Sequence, residues 1–153
     1  MSDYRRIGEM LVQKGSLTRQ QLETALKVKP GMGRRIGEVL INLGYVSEME
    51  VAECLAEQFG FDVIIPDSVT VCPDVLELLN GEVALAHRIL PVRQTQDCIE
   101  CVIADPIDFP ITDLISRMSQ KRVQMYIAPA SVLVDKIRKS YGLEPKPGAS
   151  RRS

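Results

Sequence analysis

The feature that most constrains this chain is an internal repeat. Arg6-Ile-Gly-Glu-Met-Leu-Val-Gln-Lys-Gly15, followed by Thr18, Leu22 and Leu26, returns 29 residues later as Arg35-Ile-Gly-Glu-Val-Leu-Ile-Asn-Leu-Gly44, with Ser47, Val51 and Leu55. Aligning residues 6–29 on 35–58 gives seven identities in 24 positions, where unrelated segments of ordinary composition share roughly one or two. Recurring apolar residues and glycines report a duplicated fold. The recurring arginine and glutamate add a surface task performed twice, which suits a two-lobed partner.

Each copy reads as a helical hairpin. In the first, Ile7, Met10 and Leu11 share a helical face, Gly15 is placed to end the helix, and Thr18-Arg-Gln-Gln21 is a capping-box pattern opening a second helix with Leu22, Ala25 and Leu26. In the second, Ile36, Val39, Leu40 and Leu43 form the stripe and Gly44 stops it. Ser47-Glu-Met-Glu50 then opens a helix that carries Val51, Cys54, Leu55 and Phe59 before Gly60. The joint, Pro30-Gly-Met-Gly-Arg34, is a breaker-rich turn.

After Gly60 the pattern changes. Val63-Ile-Ile-Pro66 is a short extended run, Pro73 to Leu79 a small helix, and Val83 to Ala86 a further helical turn. Ile89–Arg93 and Cys98–Ala104 read as a β-hairpin around Gln94-Thr-Gln-Asp97. Pro110–Gln120 is a helix, Val123–Ala128 a strand, and Val132–Tyr141 a last helix stopped by Gly142. The expected class is α+β: two helical hairpins packed on a small antiparallel β-sheet with flanking helices. The expected organisation is a tandem-repeat helical subdomain over 1–60, a small α+β subdomain over 61–142, and a linker or tail over 143–153.

Composition narrows the function classes. The net charge of −1 hides a segregation: residues 1–35 carry eight basic and three acidic side chains, 36–115 two and fifteen, 116–153 nine and two. A local positive field around the first repeat therefore suits a compact anion. The basic residues lack aromatic interleaving, so DNA and RNA are not expected partners. No apolar run approaches the ~20 residues of a membrane span and the amino terminus lacks a signal-peptide core. The expected location is the cytoplasm, peripheral to the inner membrane only through partners. Cys98-Ile-Glu-Cys101 follows strand alternation, which sends the two sulfurs to opposite faces, and a zinc site needs a second pair. With one histidine, His87, and no phosphate-gripping glycine loop, neither an enzyme nor a metal or cofactor is expected.

The doubled pattern Arg-Leu-Gly-x-x-[apolar]-[apolar]-x-x-Gly-[apolar]-[apolar]-x-x-x-x-Leu-x-x-x-Leu-x-x-Gln, with five residues between copies, resembles the signature of the MshEN-type domain found at the amino terminus of type II secretion and type IV pilus assembly ATPases. Leu90-Pro-Val, Ala104-Asp-Pro and Tyr141-Gly142 fit the same family. The resemblance implies binding of cyclic di-GMP, one half of the two-fold dinucleotide to each copy. It also implies a bacterial regulatory module acting on a secretion or pilus ATPase or an inner-membrane platform protein. It carries the motif arginines onto Arg6 and Arg35, the glycines onto Gly8 and Gly37, the apolar contacts onto Leu11, Leu22, Leu26, Leu40 and Leu55, and the closing glutamine onto Gln58. Asp105 matches a supplementary aspartate.

The residue chemistry agrees with that assignment. A guanidinium stacks on a purine or forks onto a phosphate or guanine edge, while carboxamide and carboxylate groups such as Gln58 and Asp105 meet guanine's donors and acceptors. Gly8 and Gly37 permit close backbone approach. The first motif departs at Ser16, an apolar place, and at Lys29, where glutamine is expected; the second departs at Val51, where leucine is expected. Lys29 exchanges an acceptor for a positive charge suited to phosphate. The competing reading is a nucleotide-independent docking domain of the same fold.

Overall fold

The computed structural model describes residues 2–28, 36–105 and 109–143, and of residues 2–6 and 109 the backbone alone. The chain divides into two compact units, Met1–Phe61 and Asp62–Ser153. The turn over residues 30–34, Pro106 and the tail from residue 144 lie outside the described residues.

The first unit holds α1 (Ser2–Gln13), α2 (Arg19–Lys27), α3 (Ile36–Asn42) and α4 (Glu48–Phe59). The repeat is reproduced bond for bond at the turns. Gly15 and Gly44 both take left-handed φ, +82° and +79°, a conformation that costs glycine little. Gly15 N–H donates to the Val12 carbonyl and Ser16 N–H to that of Leu11; Gly44 and Tyr45 do the same to Ile41 and Leu40. This closes the orphan carbonyls of α1 and α3. Both capping boxes form: Gln21 N–H donates to Thr18 Oγ1 and Thr18 N–H to Gln21 Oε1, each at 3.0 Å, and Glu50 and Ser47 exchange the same bonds at 3.1 and 2.8 Å.

Helix α1 packs against α2, α3 and α4, and α2 against α3. Ile7, Leu11, Leu17, Leu22, Ile36, Leu40, Val51, Cys54 and Leu55 form the core.

The Glu50 carboxyl is held below its ordinary value of 4.5, chiefly by the Ser47 backbone N–H; desolvation opposes this, and the Ser16 and Ser47 hydroxyls add smaller lowering effects. A depressed folded-state pKa stabilises the fold above the unfolded pKa, and this contribution is lost as pH falls through the folded value. Thermal unfolding of Glu50→Gln is therefore expected to show a flatter acid limb than wild type below about pH 4.5. Ser47→Ala, which removes the cap's side-chain acceptor, is expected to cost about 1 kcal/mol at neutral pH. An unchanged acid limb in Glu50→Gln contradicts this account of the cap.

The second unit runs β1 (Asp62–Val63), two 3-10 segments (Pro66–Ser68 and Pro73–Leu78), α5 (Gly81–His87), β2 (Ile89–Gln94), β3 (Cys98–Ile103), α6 (Phe109–Ser119), β4 (Arg122–Ile127) and α7 (Ala130–Tyr141). Its sheet order is β1-β4-β3-β2. The α+β class is as expected, but the sheet is mixed rather than antiparallel. Only β2 and β3 pair antiparallel, with an irregularity between Pro91 and Arg93. Strands β3 and β4 are parallel, Cys98 opposite Arg122 and Ile103 opposite Ile127, as are β1 and β4. The cause is α6: a helical crossover brings the chain back to the same end of the sheet, so the next strand must run parallel. The small helix expected from Pro73 is present as a 3-10 helix over Pro73–Leu78.

The landmark Tyr141-Gly142 has a packing role. Gly142 ends α7 at φ +67°, and a Cβ placed on Gly81 would meet Leu143 Cδ1 at 2.9 Å and Tyr141 Cβ at 3.2 Å, so α5 and the end of α7 approach through a side chain that is missing. Burial pushes the Tyr141 hydroxyl up to about 12, with a smaller contribution from Cys101.

Candidate functional site

The first unit carries most of the expected site residues, and its geometry separates them by role. Gly8 is buried in α1, and a Cβ there would lie 2.4 Å from Leu22 Cδ1 on α2; at the equivalent place in α3, a Cβ on Gly37 would lie 3.0 Å from Val51 Cγ1 on α4. The two contacts are the same contact, one repeat apart. Both glycines provide close approach to the second helix of their own hairpin. The second motif's departure, valine for leucine at Val51, falls on the partner of this contact.

The apolar residues split likewise. Leu11, Leu22 and Leu40 are 0% exposed and lie in the core of the first unit. Leu55 is buried, and Leu26 on α2 is half-buried. Arg6 lies in α1, but its side chain, like Arg35 and Lys29 entirely, is outside the described residues.

Gln58, in the last turn of α4, is half-buried. Its Oε1 is closed to solvent and has no hydrogen-bond partner among the described residues. An unsatisfied buried acceptor costs about 1–3 kcal/mol, which makes the closing glutamine of the second motif an energetic exception in its unit. Asp105, in the second unit, directly follows β3 and Ala104 and is half-buried.

Two polar contacts that motif reading did not anticipate tie α1 and its turn to α4. Lys14 Nζ stands 2.6 Å from Glu57 Oε1, and the Cys54 thiol donates to the Ile7 carbonyl at 3.7 Å. A third contact joins α2 to α1, Arg19 Nη1 to Glu9 Oε2 at 2.8 Å. The Lys14 and Arg19 pKa values are raised, in each case first by the hydrogen bond to its partner carboxylate. Exposed pairs of this kind contribute little to stability; they align helices. Burial pushes the Cys54 thiol up to about 11 and Cys101 to about 12, which keeps both protonated and weakly nucleophilic at neutral pH. Among the described residues, no group of three or more His, Cys, Asp and Glu is placed to hold a metal ion, and no helix is long and apolar enough to cross a membrane.

A family model described as the MshEN domain matches residues 59–146, more than half of the 153 residues. The chain belongs to the MshEN domain family. That match falls mainly on the second unit, whereas the repeats precede it; similarity to solved structures extends further. The structure of MshE with cyclic di-GMP (cdg) is 31% identical, covering 88% of this chain and 98% of that one, with a TM-score of 0.75. The N-terminal domain of XpsE, 22% identical over 90% of this chain and 95% of its own, shares the MshEN fold with a TM-score of 0.69. Among curated proteins, the type IV pilus assembly ATPase PilB of Myxococcus xanthus is 26% identical over 136 residues, 89% of this chain. This chain spans 24% of that protein's length, and 16% of the PilB of Thermus thermophilus.

Proposed function

We infer that this MshEN domain is a cyclic di-GMP receptor whose occupancy controls the docking or activity of a secretion, pilus or motility assembly. The single observation that carries the reading is the duplicated hairpin: two copies of one turn, one cap and one glycine contact, in a chain 31% identical to MshE, whose structure was solved with cyclic di-GMP. A two-fold dinucleotide is matched by two copies of one motif. In this reading Arg6 and Arg35 engage the phosphates or purines of the two halves and Lys29 a phosphate. Gln58, half-buried, presents its carboxamide to a guanine edge, Leu26 and Leu55 flank the ligand, and Gly8 and Gly37 set the helix contacts of the two half-sites.

A thermal shift tests it. Ligand that binds only the folded state stabilises by RT ln(1 + [L]/Kd), about 1.4 kcal/mol at ten times Kd. Cyclic di-GMP is expected to raise the unfolding midpoint by several degrees and GMP at the same concentration to leave it in place. An equal shift with GMP, or none with either, favours the nucleotide-independent docking domain.

A further inference from the structure

We propose that the second unit seats a basic amphipathic helix of a partner protein against an apolar cleft between α6 and the 3-10 segment Pro73–Leu78. The apolar stripe of α6, formed by Ile111, Leu114, Ile115 and Met118, is only half used by its own fold. Ile111 and Ile115 are buried, whereas Leu114 and Met118 stay 38% and 49% exposed. Helical periodicity orders these side chains around the axis. Thr112, Asp113 and Ser116 border a groove with Val123 of β4, Ile111 and Ile115 turn into the core, and Leu114 and Met118 come round on the side away from β4. The strand order β4-β3-β2 makes that the side of β2, where Pro73–Leu78 packs against both β2 and α6.

The 3-10 segment supplies the other wall. Side chains three apart eclipse in a 3-10 helix, so Asp74 and Glu77, both exposed, share one edge, between the edges that carry the half-buried Leu76 and Leu78. Two hydrogen bonds turn that acidic edge toward α6. Gln94 of β2 donates from Nε2 to Asp74 Oδ2 at 3.0 Å, and Lys121, just past the end of α6, donates to Gln94 Oε1 at 2.6 Å.

The charges select the occupant. Gln94 is a neutral amide standing between Asp74 and Lys121, so the carboxylate keeps its charge. Arg117 is drawn to Asp113 at 2.9 Å, which lies on the β4 side of the helix. Residues 36–115, which include the 3-10 segment, carry fifteen acidic side chains against two basic ones. An apolar cleft with an acidic rim fits a helix whose apolar residues recur at i, i+3, i+4 and i+7 and whose flanks carry lysine or arginine. Methionine at such a surface adapts to the side chains it meets. A second copy of the chain is the poorer occupant, because an isologous contact here sets the acidic rim against itself. The surface lies wholly in the second unit and does not depend on nucleotide.

The probe is a labelled synthetic peptide of about 15 residues, with leucines on one helical face and lysines on its flanks, titrated by fluorescence anisotropy against the full chain. A twin carries glutamate for lysine. The lysine peptide is expected to bind about tenfold more tightly than its twin, an advantage that shrinks with added salt. Met118→Lys, at the most exposed apolar position, is expected to weaken the lysine peptide about tenfold with the circular dichroism spectrum unchanged. Glu77→Lys is expected to reverse the preference between the two peptides. Glu53→Lys, the same charge change at an exposed place on α4, is expected to leave that preference as in wild type. No binding at about 1 mM, equal effects of Glu77→Lys and Glu53→Lys, or full affinity in Met118→Lys overturns the proposal. So does a wild-type dimer in sedimentation that Met118→Lys dissolves, which assigns the cleft to a second copy.

Discussion

Gly8→Val is expected to destabilise the chain by about 3 kcal/mol, the upper part of the overpacking range. The first added carbon alone would stand 2.4 Å from Leu22 Cδ1, and Leu22 is itself 0% exposed, so its side chain must repack within the core to give way. Gly8→Ala sets a smaller strain against the roughly 1 kcal/mol that alanine gains over glycine inside a helix and is expected to lose about 1 kcal/mol net. At the equivalent position the approach is 3.0 Å to the shorter Val51. Gly37→Ala is therefore expected to be neutral within about 0.5 kcal/mol. Converting the first contact into the second, Gly8→Ala with Leu22→Val, should cost less than the sum of the single changes by about 1 kcal/mol. Urea unfolding of these four variants and of Leu22→Val alone measures each term. Equal effects at Gly8 and Gly37 contradict the contact's role.

That asymmetry marks what is legible in a sequence and what is not. The hairpins were legible because their signals are local: a stripe of Ile7, Met10 and Leu11, a left-handed glycine at 15, a Thr18–Gln21 box, all repeated 29 residues on. The sheet was only half legible. The β2–β3 hairpin carries its own turn, but β4 pairs parallel across α6 and β1 contributes two residues, and neither is encoded in neighbouring residues. The site was legible as a motif and less so as a set of roles. A glycine that admits a ligand and one that admits Leu22 are the same letter, as are a leucine on a surface and Leu11 or Leu40 in a core.

Arg6→Ala and Arg35→Ala are each expected to weaken cyclic di-GMP binding by about 1–3 kcal/mol, the range of a bidentate guanidinium contact to a base edge. The folded state should survive both. Among the described residues, the core of the first unit is built from apolar side chains, with no buried polar or charged residue. Circular dichroism and the unfolding midpoint check the fold, and competition against a fluorescent cyclic di-GMP analogue measures affinity. The double variant should bind no better than GMP binds wild type, because losing one anchor in each copy abolishes the advantage of linked contacts. Unchanged affinity in both single variants removes the arginines from the site.

The central claim is that two copies of one hairpin together hold one two-fold ligand, and titration calorimetry of the wild-type chain with cyclic di-GMP tests it most directly. One nucleotide per chain is predicted, with GTP and GMP far weaker because only the cyclic dimer spans both half-sites and benefits from effective concentration. Two nucleotides per chain, equal affinity for GMP, or no heat at high micromolar ligand would contradict it.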